Sequence, residues 1–308
     1  MEIGCPSFLD LYAAPFLGKI TVMQVPVQLV KAFTADKSQG NPAGVVLHAD
    51  KLNDKQMLHI AAELGFSESA FVQASTQSDF RVRFFSVKRD VDFCGHATIA
   101  TFHTLMEHRK VLLNGKTQVT VKQETRAGIL PVTCYEDGRV VMSQNDPTFG
   151  YIESDKSAIA ALLNVDPTAI MDTPIQLVST GTPKLMIPIV SLKEIRNIQP
   201  DLSGISEYCR RHEVKGLYPF TAETLEDSSH FYARQFNPLA GINEDPITGI
   251  AAGALGCYAE KYNLVTDKRI IVEQGYGMSM GGEMYVDISD GVKVGGYAVT
   301  YGERAIVL

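Results

Sequence analysis

The sequence predicts an α+β protein of two pseudo-symmetric lobes, each a barrel-like β-sheet around a central helix. Three observations carry this reading. First, Phe80-Arg-Val-Arg-Phe-Phe85 leading to Cys94-Gly-His-Ala-Thr98 has a second copy, Phe231-Tyr-Ala-Arg-Gln-Phe236 leading to Glu244-Asp-Pro-Ile-Thr-Gly249. Aligning Phe80 with Phe231 also pairs Arg83 with Arg234, Phe85 with Phe236 and, after a three-residue insertion, Gly95 with Gly249, which marks a duplicated unit. Second, the helices after the paired glycines are apolar nearly all round (Ile99, Phe102, Leu105 and Met106 in one, Ile250 to Ala259 in the other). A helix of that kind is buried rather than amphipathic. Third, each half carries many short alternating runs, the pattern of strands with one covered face.

In the first half the alternation predicts a strand over 23–35, a polar turn at Lys37-Ser-Gln-Gly-Asn-Pro42 and a strand over 43–48. A helix follows. Asn53 can cap it, Met57, Ile60, Ala61 and Leu64 recur at helical spacing, and Gly65 ends it. Strands are predicted at 69–73 and 80–85, a helix over 97–108, and strands near 117–124, 129–135 and 139–144, with Asp137-Gly138 as a hairpin turn. The second half repeats the order. Residues 154–163 and 167–170 read as helical and 176–179 as a strand, and Gly181-Thr-Pro183 stands where Gly40-Asn-Pro42 stood. Then come a strand at 185–190, a helix at 202–212, strands at 217–221 and 231–236, and a helix at 250–262. Runs rich in β-branched residues at 270–274, 284–288, 292–300 and 304–307 read as closing strands. The first lobe is predicted to span 23–145, joined by the C-terminal strand at 297–308, and the second 146–296. Residues 1–22 read as an extension upstream of a start at Met23. They lack a basic opening and are interrupted by Asp10 and Lys19, unlike a signal peptide.

Composition narrows the function classes. With 45% hydrophobic and 20% charged residues the 308-residue chain is ordinary for a soluble globular protein. A net charge of −7 argues against nucleic acid or an anionic membrane as the main partner. No apolar run reaches the roughly 18 residues needed to cross a bilayer. The five cysteines form no CxxC pair, so neither a disulfide framework nor a zinc ligand set is visible. Reduced thiols in a cytoplasmic protein are the simplest expectation. There is no P-loop, and Gly275-Tyr-Gly-Met-Ser-Met-Gly-Gly282 opens no helix, so no cofactor is expected.

Four residues are candidates for chemistry. Glu68 sits in Gly65-Phe-Ser-Glu-Ser-Ala-Phe-Val72, at the start of a strand with apolar neighbours. Desolvation favours the protonated form of a carboxyl, the property a proton-carrying base needs, although a strand-edge surface Glu fits the same pattern. His96 and Asp245 flank the two helix starts, where free N–H groups and about half a positive charge bind carboxylates. An interior imidazole and an ordinary capping Asp are the alternatives. Cys94 lies where a thiol pKa would fall, yet the matching position is Thr248, which supplies no second thiolate, so Cys94 reads as a small packed residue.

At Gly40-Asn-Pro-Ala-Gly44, Gly65-Phe-Ser-Glu-Ser-Ala-Phe71, Phe93-Cys-Gly-His-Ala-Thr98 and Arg234-Gln-Phe-Asn-Pro238 with Glu244-Asp-Pro-Ile-Thr-Gly249, the chain resembles the PhzF-like isomerases of phenazine biosynthesis. These have the diaminopimelate epimerase-like fold. The resemblance runs from about Met23 to the C-terminus. It implies a substrate cleft between two lobes, Glu68 as the acid/base carboxylate, and His96 and Asp245 as supporting polar residues. Gly95 and Ala97 at the first helix start, and Thr248, Gly249 and Ile250 at the second, become the expected substrate contacts. Ile250 departs from the phenazine enzyme, which has Ser there, so a different substrate is expected. The implied activity is a cofactor-independent isomerisation of a small carboxylic or amino acid, and a homodimer is what the family suggests. A Cys94-dependent racemase or epimerase and a non-catalytic binding protein on the same fold are the alternatives.

Overall fold

The computed structural model describes residues 23–308; the extension expected at residues 1–22 lies outside them. The first half contains β1 (Gln24–Ala32), β2 (Asn41–Val46), α1 (Asp54–Leu64), β3 (Glu68–Gln73), β4 (Phe80–Ser86), β5 (Asp90–Val91) and α2 (Gly95–Glu107), followed by β6 (Gln118–Thr125), β7 (Gly128–Tyr135) and β8 (Val140–Ser143). The second half opens with β9 (Thr148–Glu153), α3 (Lys156–Leu163), β10 (Ile175–Ser179), β11 (Lys184–Pro188), α4 (Leu192–Asn197), α5 (Leu202–Arg211) and β12 (Leu217–Thr221). It continues through β13 (Phe231–Ala233), β14 (Gln235–Asn237), β15 (Ile242–Asp245), α6 (Gly249–Lys261), β16 (Arg269–Gln274), β17 (Gly282–Asp287), β18 (Lys293–Gly296) and β19 (Ala298–Val307).

Strand pairing makes the duplication explicit. β1 to β2 is antiparallel, β2 to β3 parallel, β3 to β4 antiparallel and β4 to β6 parallel, with β7 and β8 added antiparallel. The sequence β10, β11, β12, β13, β16, β17, β18 repeats those joins one for one. Each parallel join needs a crossover, and the second crossover of each half is a central helix, α2 or α6. β19 borders β1 as β9 borders β10. The halves meet where β8 pairs antiparallel with β18, Met142 opposite Val294.

The central helices are covered as their composition requires. α2 packs against β1, β2, β3, β7, β8 and β19, and α6 against β10, β11, β17 and β18. In α2 the buried hydroxyls of Thr98, Thr101 and Thr104 each donate to the carbonyl four residues back, at 2.8, 2.7 and 2.8 Å. A side chain that bonds its own helix needs no outside partner. In α6 small residues let the sheet approach. A Cβ on Gly253 would stand 2.1 Å from Gln144 Oε1, and one on Gly256 2.9 Å from Val286 Cγ1. One apolar core joins the two helices through residues such as Phe102, Met142, Val294 and Leu255. α1 begins with the capping box Asn53/Gln56 and stops at Gly65, whose φ of +71° suits glycine.

Several local expectations are corrected. β9, mostly exposed and, among the described residues, paired along one side, has no buried alternation to betray it. β15 and the short α4 were likewise not predicted. The run 231–236 is not one strand. It breaks at Arg234, whose guanidinium is held by Glu244 and by the carbonyls of Ile195 and Ile198. The closing strands divide differently too. The chain leaves the β8/β18 junction at Tyr297 and then runs along β1 as one strand, β19, whose register shifts opposite Leu29 and Val30.

Candidate active site

Two helix starts face the same region from opposite lobes. α2 and α6 are in contact, and their N-cap residues, Cys94 and Thr248, make no side-chain cap. Each terminus therefore keeps N–H groups and partial positive charge available to an anion. The turns ahead of both helices are pinned in the same way. Arg83 lies 5.0 Å from the Phe85 ring centre and pairs with Asp90 and Asp54; Arg234 lies 4.9 Å from that of Phe236 and grips Glu244 through two bonds of 2.8 and 2.9 Å. The arginine pair read from the alignment is thus a duplicated clamp on the two loops that carry the site.

Glu68 opens β3 and turns its carboxyl toward α2. Its side chain is 21% exposed, neither peripheral nor sealed. Oε2 lies 3.7 Å from His96 Nε2 and accepts from Cys94 Sγ at 3.7 Å. His96 is buried, with Ser67 Oγ 3.4 Å from Nε2 and Cys94 Sγ 3.4 Å from Nδ1. Three residues that sequence considered separately are therefore one cluster. Among the described residues Cys94 pairs with no second cysteine, and burial raises its thiol well above the ordinary value, reinforced by the charges of Glu68 and Asp245 while the Ala97 N–H pulls it back. The fall expected at a helix start does not occur, because desolvation outweighs the helix terminus.

From the other lobe, Asp245 ends β15 and accepts the Thr248 hydroxyl at 2.6 Å. Burial pushes the Asp245 carboxyl up; Thr248, His96 and Lys184 pull it back, and Glu68 adds to the rise. Asp245 thus stands close enough to Glu68 and His96 for their charges to act on it, which brings both expected sets together. Gly249 is buried, and a Cβ on it would lie 3.3 Å from Phe33 Cζ. On Gly95 it would meet Met142 Cε at an ordinary 3.5 Å. Ile250 packs toward Gly181, and its carbonyl accepts from Thr180.

Sequence reasoning missed four supporting residues. Gln274, fully buried, donates to the Asp245 carbonyl at 2.8 Å and accepts the Thr248 N–H at 3.2 Å. Asn41 reaches across to the Ile247 carbonyl at 3.4 Å, and Ser67 touches His96. Lys184 is buried beside Asp245, with burial lowering its pKa to about 8, and donates to the Lys215 carbonyl at 2.6 Å. Its place directly after Gly181-Thr-Pro183, the counterpart of the Gly40-Asn-Pro42 turn, was the available signal.

Two pseudo-symmetric lobes with facing helix starts and a polar cluster between them define the architecture of the epimerase-like isomerases. A sequence model of the PhzC-PhzF family, phenazine biosynthesis-like proteins, matches residues 30–304. The chain belongs to this family. It is 34% identical over 265 residues to the uncharacterized isomerase YfhB of Bacillus subtilis (84% of this chain, 89% of the relative). It is 35% identical over 297 residues to an uncharacterized isomerase of Clostridium acetobutylicum (91% and 97%). Among solved structures, a PhzF-family protein of Bacillus anthracis superposes with a TM-score of 0.84 at 30% identity, covering 93% of this chain and all of that one. A hydroxyproline epimerase of Agrobacterium vitis shares the fold at a TM-score of 0.60 and 11% identity, over 92% of this chain and 91% of that one. The chain is an isomerase of this class. Among the described residues, no helix is long and apolar enough to cross a membrane.

Proposed function

We propose that this isomerase moves a proton within a small carboxylic or amino acid, without a cofactor, using Glu68 as the acid/base. The observation that carries the reading is the approach of Glu68 Oε2 to His96 Nε2 at 3.7 Å beneath one uncapped helix start, with Asp245 and Thr248 at the other. The substrate carboxylate is held by N–H groups at Gly95, Ala97 and Gly249. Glu68 takes a proton from a carbon made acidic by that carboxylate and returns it elsewhere on the same conjugated system. His96 and Asp245 hold the substrate's amino or hydroxyl groups, with Thr248 and Gln274 fixing Asp245. Ile250 presents an apolar contact where a hydroxyl would favour a more polar substrate.

The magnitudes are adequate. A positioned acid/base contributes about 10²–10⁴-fold. A preorganised donor at a developing oxyanion is worth roughly 3 kcal/mol. Exclusion of water by the two lobes strengthens both. Cys94 as the base is disfavoured, since a thiol raised by burial and flanked by two carboxyls keeps its proton.

The test is a panel of small carboxylic and amino acids incubated with the protein in deuterium oxide and followed by NMR. The proposal expects deuterium uptake at one carbon of one structural class, with no added cofactor. Tight binding of an acid without exchange at any carbon would contradict it.

A further inference from the structure

The three heteroatoms under the start of α2 have a geometry that proton transfer does not require. Cys94 Sγ is 3.7 Å from Glu68 Oε2 and 3.9 Å from His96 Nε2, and that nitrogen is 3.7 Å from Glu68 Oε2. Among the described residues this trio is the group whose ligand atoms converge, all within 4.8 Å of one another. Zinc binds a thiolate at about 2.3 Å and an imidazole nitrogen or carboxylate oxygen at about 2.0–2.2 Å. On a tetrahedron those bond lengths put sulfur about 3.6 Å from nitrogen or oxygen, and nitrogen about 3.4 Å from oxygen. The trio exceeds these edges by no more than about 0.4 Å; Sγ also lies 3.4 Å from His96 Nδ1, so the imidazole must turn to aim the Nε2 lone pair at the ion.

We propose that Glu68, Cys94 and His96 form a binding site for Zn²⁺, or another thiol-seeking divalent ion, with a fourth position left to water or a small anion. Three protein ligands and one open position are a recurrent zinc arrangement. Binding releases the Cys94 thiol proton to solvent and involves no redox step. The raised thiol pKa does not oppose this, because a coordinating thiol is deprotonated outright by the ion's own charge. The helix start adds about half a positive charge, but Glu68, the Cys94 thiolate and nearby Asp245 supply more negative charge than that. Ser67 Oγ, 3.4 Å from His96 Nε2, gives up its contact when the nitrogen turns to the metal. A bound ion also ties up the Glu68 carboxylate. The loaded protein is therefore inhibited, a consequence that rests on the proposed role of Glu68 while the site itself does not.

The test titrates the metal-free full-length protein with Co²⁺, then with Zn²⁺. The expected result is one Co²⁺ per chain with thiolate-to-cobalt charge-transfer absorption, displaced by Zn²⁺. Cys94→Ser removes that absorption and weakens Zn²⁺ binding by more than the roughly 10–100-fold that loss of an outer-shell partner costs. Glu68→Gln and His96→Asn weaken binding but keep the absorption, whereas Cys134→Ser and Cys257→Ser change neither. Circular dichroism checks that each variant is folded. No charge-transfer band in the wild type, or a band unchanged in Cys94→Ser, overturns the site. Deuterium exchange is measured on the same samples, and a zinc-loaded protein that exchanges at full rate overturns the inhibition. Failure of the metal-free protein to exchange any acid overturns the proton-transfer reading instead and leaves the site to be judged by its spectrum.

Discussion

Replacing Thr248 with Val keeps the shape of a residue that is 9% exposed and removes the hydroxyl that donates to Asp245 Oδ2 at 2.6 Å. Gln274 still donates to the Asp245 carbonyl, so the loop keeps its other anchor. A hydrogen bond to a charged group is worth about 1.5–3 kcal/mol, and one between neutral groups about 0.5–1.5 kcal/mol. The cost of Thr248→Val therefore depends on the charge of Asp245. That carboxyl is already raised by burial, so its ionisation opposes folding. The penalty is absent below the unfolded value near 3.8 and grows as pH rises through the folded value. Thr248→Val raises the folded value further and deepens the penalty on the alkaline side. Urea denaturation near neutral pH should show a loss of about 1.5–3 kcal/mol, falling to about 0.5–1.5 kcal/mol as pH drops toward about 4. A loss independent of pH, or none at all, would refute a charged, hydrogen-bonded Asp245 in the cleft.

Gly253→Ala should destabilise by about 1–3 kcal/mol in the same assay. Its Cβ would sit 2.1 Å from Gln144 Oε1, forcing out a side chain that accepts from Thr180 at 2.6 Å and donates to the Gly249 carbonyl at 3.0 Å. Lys184 titrates near 8 when folded, against an ordinary value of 10.5. Between those values the unfolded chain binds more protons, so this group makes stability rise with pH, by about 3 kcal/mol over the full span. The rise should be absent in Lys184→Met when denaturation midpoints of the two proteins are compared across that range.

The duplication was legible because its carriers are local and distinctive. Arg83 with Phe85 and Arg234 with Phe236 are the same stacked pair in both lobes, and the paired glycines open two helices of the same length. Helix α1 was legible down to its cap and its terminating glycine for the same reason. What escaped is what depends on distant partners. Among the described residues β9 borders a single strand and hides little, and Arg234 leaves the ladder because of carbonyls in the α4 region. At the site, Glu68 and Cys94 stand 26 positions apart and meet only through the sheet, so no spacing rule marks them as a ligand set. Gln274 looks like any polar residue in a closing strand until α6 packs beside it.

The central claim is that the proton travels on the Glu68 carboxyl and not on the Cys94 sulfur. On an acid that the wild type exchanges, the measurement is the deuterium-uptake rate of metal-free Glu68→Gln beside that of metal-free Cys94→Ser. The account predicts a fall of about 10²–10⁴-fold for Glu68→Gln and of less than about tenfold for Cys94→Ser. A Glu68→Gln protein that exchanges at nearly the wild-type rate, with Cys94→Ser inactive, would contradict it.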